Sequence, residues 1–288
     1  MHTEIGRSER TNERLPALLL IGISLVGVAA FLYPFVLSAA NDAGLETSAH
    51  GTDAPFLFAI VTGVCLVASL ISTSDDTTGT SRAKIVALLG VLVAIDATLR
   101  LVPGVLGASP IFPLIILVGA VFGATFGFQM GALTILLSAF LTGGVGPWLP
   151  FQMFGAAWIG MSAGWLPKPA SLTARVVMLA AFGALWGVLF GAIMNLWFWP
   201  LSTPGLEVES GFSWNPELGF IETLRRYGGF YVTTSLVFDL TRSLANLLLI
   251  LVLGKPVLRL LDRYNARFSW HEWQDTSDER TGDTASGR

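Results

Sequence analysis

Apolar residues run through this chain in long blocks, separated by short clusters of glycine, proline and charge. A helix needs roughly 17–25 mostly apolar residues to cross a bilayer. Spans can be placed at 15–39, 55–72, 84–103, 111–126, 128–142, 151–166, 172–199 and 230–253. The fourth, fifth and sixth are short and parted by glycines, so their ends are the least defined. No internal repeat is evident. The pattern predicts an all-α fold, a polytopic membrane helical bundle of about eight transmembrane helices.

Composition agrees with the pattern. Of the 288 residues, 53% are hydrophobic and 13% charged, against about 25% charge in soluble domains. The mean hydropathy is +0.65. The net charge of −3 adds little, because the acidic residues sit mostly in the tail and loops. One cysteine, Cys65, excludes an internal disulfide and a cysteine-cluster metal site. Arg7, Arg10 and Arg14 before the first block resemble signal-peptide flanks, but the block exceeds the usual 7–15 residues. A retained helix is expected.

Lysine and arginine in the loops set the orientation. Arg7, Arg10, Arg14, Arg82, Lys84, Lys168, Arg175, Lys255, Arg259, Arg263 and Arg267 fall on one side of an eight-span map. The other side takes Asp42, Glu46, Asp53, Glu207, Glu209, Glu217 and Glu222, with Arg225 and Arg226 as exceptions. Both termini are therefore expected in the cytoplasm of a plasma-membrane protein. In the external loop 200–229, Asn215-Pro216 reads as an N-cap and first helical residue, and Phe220, Ile221 and Leu224 suggest a short surface helix. Lys255, Arg259, Arg263 and Arg267 form a basic stripe suited to a cytoplasmic interfacial helix. After Trp273 the composition predicts disorder.

Polar groups inside the spans gather in the outer half. Asp96 and Arg100 are four apart in the third span, and Asp239 and Arg242 three apart in the eighth, with Asn246 a turn deeper. Asn195 precedes Trp197 and Trp199, and Gln152 follows the stiff Gly-Pro-Trp148-Leu-Pro turn. Ionisable residues in a span are costly and suggest function. With the inner half almost purely apolar, this distribution suits a pocket open to the outside and closed below. Asp96 with Arg100, and Asp239 with Arg242, also read as local pairs satisfying each other, and the tryptophans as an interface belt. Ala83-x-x-x-Ala87, Gly90-x-x-x-Ala94 and the series Gly119, Gly123, Gly127, Gly131 form ridges for close helix packing.

Several chemistries are set aside. Gly160-Met-Ser162-Ala-Gly164 matches a nucleophile elbow, but it lies on an apolar helix, and His2, His50 and His271 are outside the spans. No zinc-protease motif or ATP-binding P-loop occurs. An enzyme, a cofactor, a bound metal and a nucleic-acid partner are not expected.

The segments KIVALLGVLVAIDATLRLVPG, FLTGGVGPWLPFQM and SLANLLLILVLGKPVLRLL, within 84–261, resemble the substrate-binding S components of energy-coupling factor (ECF) vitamin transporters. The resemblance covers about two thirds of the chain. It implies a six-helix core at 81–261; the chain departs from the family in two extra helices at 15–80, which a minimal S component lacks, with a cytoplasmic segment at 1–14 before them and a basic helix end and tail at 262–288. It implies a vitamin-like ligand held near the outer face, and partnership in the lipid bilayer with a transmembrane T component and ATPase subunits. Small residues that meet the T component in that family map onto Ala83 and Ala87. The nearest subgroup looks cobalamin-like. The candidate binding set is Asp96, Arg100, Trp148, Gln152, Asn195, Trp199, Asp239, Arg242 and Asn246. A secondary transporter and a structural membrane subunit are the alternative classes.

Overall fold

The computed structural model describes residues 18, 20–32, 35, 59, 60, 62, 63, 79–102, 104, 106–201, 211–214 and 217–268, with backbone only at 79–83, 201, 267 and 268. The second apolar block, the loop containing Asn215-Pro216 and the polar tail lie largely or wholly outside these residues. All regular structure among them is helical: α1 (Leu20–Leu32), α2 (Gly79–Leu99), α3 (Ile111–Phe122), α4 (Ala124–Thr142), α5 (Leu149–Ala163), α6 (Leu172–Phe198), α7 (Phe220–Thr234) and α8 (Leu236–Phe268), with a single 3₁₀ turn at Trp199–Leu201. Among the described residues, three helices are long and apolar enough to cross a membrane: α4, α6 and α8 over Leu236–Ala266. α3 and α5 have 12 and 15 residues, short of a full crossing.

The chain runs up and down between two ends of a bundle, identified here by Arg100 and Arg175. At the Arg175 end, Arg175 Nη1 grips both carboxylate oxygens of Asp262 on α8 (3.1 and 3.0 Å), while Nη2 donates to the Ala120 carbonyl (3.3 Å). Lys168 Nζ donates to Val121 O (3.2 Å). The last carbonyls of α3 thus receive two cations, the partners that a helix C-terminus lacks internally.

Glycines set the helix spacing. A β-carbon at Gly119, Gly127 or Gly131 would strike the backbone of Gly160 or Ala156 on α5, so α3, α4 and α5 meet backbone to backbone. The glycine ridge is internal packing of the bundle. A second series, Gly183, Gly187 and Gly191 on α6, brings that helix against Asn246, Ser243 and Asp239 of α8. Gly123 breaks α3 from α4 with φ 93° and ψ 177°, a conformation favouring glycine. The fourth span therefore ends at Phe122 and the fifth begins at Ala124. Gly143 closes α4 in the left-handed region, and Pro150 sits in the first turn of α5.

The amino-terminal helix is not a detached addition. Gly27 of α1 lies against Phe154 and Trp158 of α5. Trp158 Nε1 donates to Ser24 Oγ (3.2 Å), and Phe31 meets Phe151 edge-on (5.0 Å).

Two boundaries differ from expectation at the other terminus. The surface helix begins at Phe220 after Gly219 and continues through Gly228 and Gly229 to Thr234, so 230–234 belong to α7 rather than to the eighth span. Its buried side explains this: Phe230 and Tyr227 pack on Trp199 (6.4 and 5.2 Å between centroids). The break falls at Ser235 (φ −123°, ψ −26°). α8 then runs unbroken through Pro256 to Phe268, so the eighth span and the basic stripe are one helix.

Candidate functional site

The polar residues of the Arg100 end form two sets. The first lies among α2, α4 and α5. Arg100 follows the last turn of α2 and does not pair with Asp96; its Nη1 donates to Ser138 Oγ (2.9 Å) and its Nη2 to Gln152 Oε1 (3.3 Å). Asp96, one turn lower, is 0% exposed, and neither carboxylate oxygen has a hydrogen-bond partner. Thr134 of α4 is beside it, also buried and with its hydroxyl unpartnered. A buried unsatisfied polar group costs on the order of 1–3 kcal/mol, more if charged.

The second set lies among α6, α7 and α8. Here the local pair forms, with Arg242 Nη1 bonded to Asp239 Oδ1. Arg242 Nη1 also donates to Gly187 O (3.2 Å), and its guanidinium lies over Phe190 (5.2 Å) and Phe112 (6.0 Å). The two rings supply the attraction of their π faces to a cation removed from water. The other Asp239 oxygen and the Tyr231 hydroxyl are both buried without a hydrogen-bond partner, in neighbouring residues of this set. Ser243 Oγ donates to Ala184 O (2.7 Å) and Asn246 Nδ2 to Gly183 O (3.0 Å). The polar face of α8 is therefore also a seam to α6, each such bond contributing about 0.6 kcal/mol on average. The Asn246 carbonyl oxygen remains without a partner.

The remaining candidates are peripheral to these sets. Asn195 Nδ2 donates to Ser235 Oγ (2.7 Å) and so ties α6 to the break between α7 and α8. Trp199 is buried, with its indole N–H on Phe212 O (2.9 Å). Trp148 is 41% exposed and folds back on its own turn, donating to Gly144 O (3.1 Å). The Gly-Pro-Trp-Leu-Pro turn thus directs Gln152 toward Arg100 while Trp148 stands on the rim. On α7, the Tyr227 hydroxyl donates to Ala192 O. Burial, with Tyr231 and Asp239 nearby, holds its phenol above its ordinary pKa. Among the described residues no hydrogen bond or ion pair joins the first set to the second.

The opposite half is not purely apolar. Gln129 of α4 is 2% exposed with its amide nitrogen unpartnered. It lines a cavity of about 220 Å³ with Ile85, Leu88, Phe122, Phe126 and Asn265 at the Arg175 end. Sequence reading passed over Gln129, Thr134 and Tyr231. The first two were visible as polar residues inside an apolar run, whereas Tyr231 lay where a span was expected to begin.

On α2, Ala87, Gly90 and Ala94 are exposed beside Val86, Val91 and Ile95, and a β-carbon at Gly90 would meet nothing. Ala83 lies on the same helix. No protein-family model, curated protein or solved structure matches the chain.

Proposed function

We propose that the chain is a membrane-embedded substrate-binding subunit of the ECF type, capturing a vitamin-like small molecule at the Arg100 end, on the outer side. A transmembrane partner and ATPases would then complete import. One observation carries this reading. Asp96 is a fully buried carboxylate without a partner, one turn below Arg100, Ser138 and Gln152. Within a membrane such a group is expensive unless something occupies it. A ligand donating hydrogen bonds to Asp96 and accepting them from the Arg100 cluster relieves that cost. The exposed small-residue face of α2 supports the docking of a partner helix, since small residues let backbones approach in lipid.

The test is direct. Protein purified in lipid nanodiscs is denatured, the released small molecules are identified by mass spectrometry, and each is added back in a thermal-shift assay. A vitamin-like molecule that raises the melting temperature of the native chain but not of Asp96→Asn supports the reading. Absence of any such molecule, or equal stabilisation of the variant, opposes it. Ala87→Leu should retain this shift while abolishing cellular uptake, because it blocks docking and leaves the site intact.

Asp96 also favours a second reading, a secondary transporter whose coupling proton resides on that carboxylate. Gradient-driven uptake into liposomes by the chain alone separates the two.

A further inference from the structure

We infer that α8 binds an anionic phospholipid at the Arg175 end, with the phosphate at Lys255 and Arg259 and the acyl chains along the helix face beside them. The inference rests on α8 crossing a bilayer and is independent of what the Asp96 site takes.

The unbroken course of α8 fixes the depth of its cations. A hydrocarbon core of about 30 Å takes about 20 residues of helix. Counted from the first residue of α8, Leu236, that length ends at Lys255. Arg259 and Arg263 follow about 6 and 12 Å further along the axis, and headgroups occupy roughly the next 5–8 Å. Lys255 and Arg259 therefore bracket the phosphate layer. A helix lying flat would bring the whole basic stripe to one depth; a continuous span brings only its first two members there.

The face selects a lipid over a soluble anion. Leu244, Leu248 and Val252 form an exposed row on α8. Lys255 comes seven residues after Leu248, and Arg259 seven after Val252, a step of nearly two full turns. Each cation thus continues an exposed apolar position on the same face. A free phosphate meets the cations alone, whereas a phospholipid meets them with its head and the apolar row with its chains.

Charge is left over at this level. Lys255, Arg259 and Arg263 are exposed, and none forms an ion pair among the described residues. Asp262 is the only acid between Leu251 and Phe268. It lies three residues after Arg259, a spacing at which the two could pair. Instead Arg175 of α6 takes both its oxygens. Lys255 and Arg259 have only donors to offer, and a phosphate is the acceptor that matches them.

The test follows thermal unfolding of the full chain in dodecyl maltoside micelles as lipid is added. Dioleoylphosphatidylglycerol should stabilise at a micellar mole fraction roughly fivefold or more below that of dioleoylphosphatidylcholine, the scale of one cation at an anionic surface. Lys255→Gln and Arg259→Gln should each shrink that gap, while Arg225→Gln, an exposed cation on α7, should keep it. Glycerol 3-phosphate, a head without chains, should give no shift. On the native chain, where no variant has to fold, sodium chloride at about 0.5 M should narrow the gap by screening. A gap that ignores salt, that survives both glutamine variants, or that glycerol 3-phosphate reproduces overturns the inference. Equal stabilisation by the two lipids does the same, and stabilisation by polyglutamate in their place would assign the stripe to an acidic protein surface.

Discussion

Two aspartates in one bundle are treated in opposite ways. Asp239 is held by Arg242, while neither oxygen of Asp96 has a hydrogen-bond partner and the Thr134 hydroxyl beside it has none either. Asp96→Leu should therefore raise stability by about 1–3 kcal/mol, read as a higher melting temperature in nanodiscs, while removing ligand-induced stabilisation. A fall in melting temperature would mark Asp96 as a structural group. For Asp239 the sign reverses. Arg242→Met strands the carboxylate and should cost about 3–5 kcal/mol, as for other broken buried pairs. Arg242→Met with Asp239→Asn should recover much of this loss. Normal ligand affinity in the folded double variant would remove Arg242 from the site. The i,i+3 spacing made the Asp239 pair legible in the sequence. The i,i+4 spacing of Asp96 and Arg100 suggested the same and did not deliver it. Arg100 lies past the end of α2, where it reaches Ser138 and Gln152, 38 and 52 residues away, and sequence spacing carries no record of such partners.

Helices were readable from hydropathy, their ends much less so. Gly123 ends a helix, whereas Gly228 and Gly229 lie inside one; the difference comes from Trp199, against which α7 packs. Local propensity is weak beside such contacts. The same contrast predicts unequal effects of one substitution. Gly160→Ala places a methyl against the Gly127 backbone, which cannot rotate away, and should destabilise by roughly 1–3 kcal/mol. Gly90→Ala meets nothing and should stabilise the isolated chain by up to about 1 kcal/mol through helix propensity alone. Thermal unfolding of the two variants in one lipid composition checks both signs. A neutral Gly160→Ala would mean that α4 and α5 separate at little cost.

For the molecule as a whole, the charge asymmetry predicts that the two bundle ends face different compartments. Single cysteines at Ser74 and Ser210, in a Cys65→Ser background, should react with an impermeant thiol reagent from opposite sides; labelling of both from outside refutes the eight-span arrangement. The short α3 also has a consequence for how the protein is made. Its 12 residues rise about 18 Å, against a hydrocarbon core of about 30 Å. The cations that meet its final carbonyls, Lys168 and Arg175, come 47 and 55 residues later. When α3 leaves the ribosome it has neither the length to be recognised as a span nor the partners for its open end. It is expected to enter the bilayer as a hairpin with α4, turning at Gly123, and to wait for α6. Nascent chains stalled before Lys168 should therefore hold α3 loosely, extractable by urea or open to protease, until synthesis carries the clamp into place.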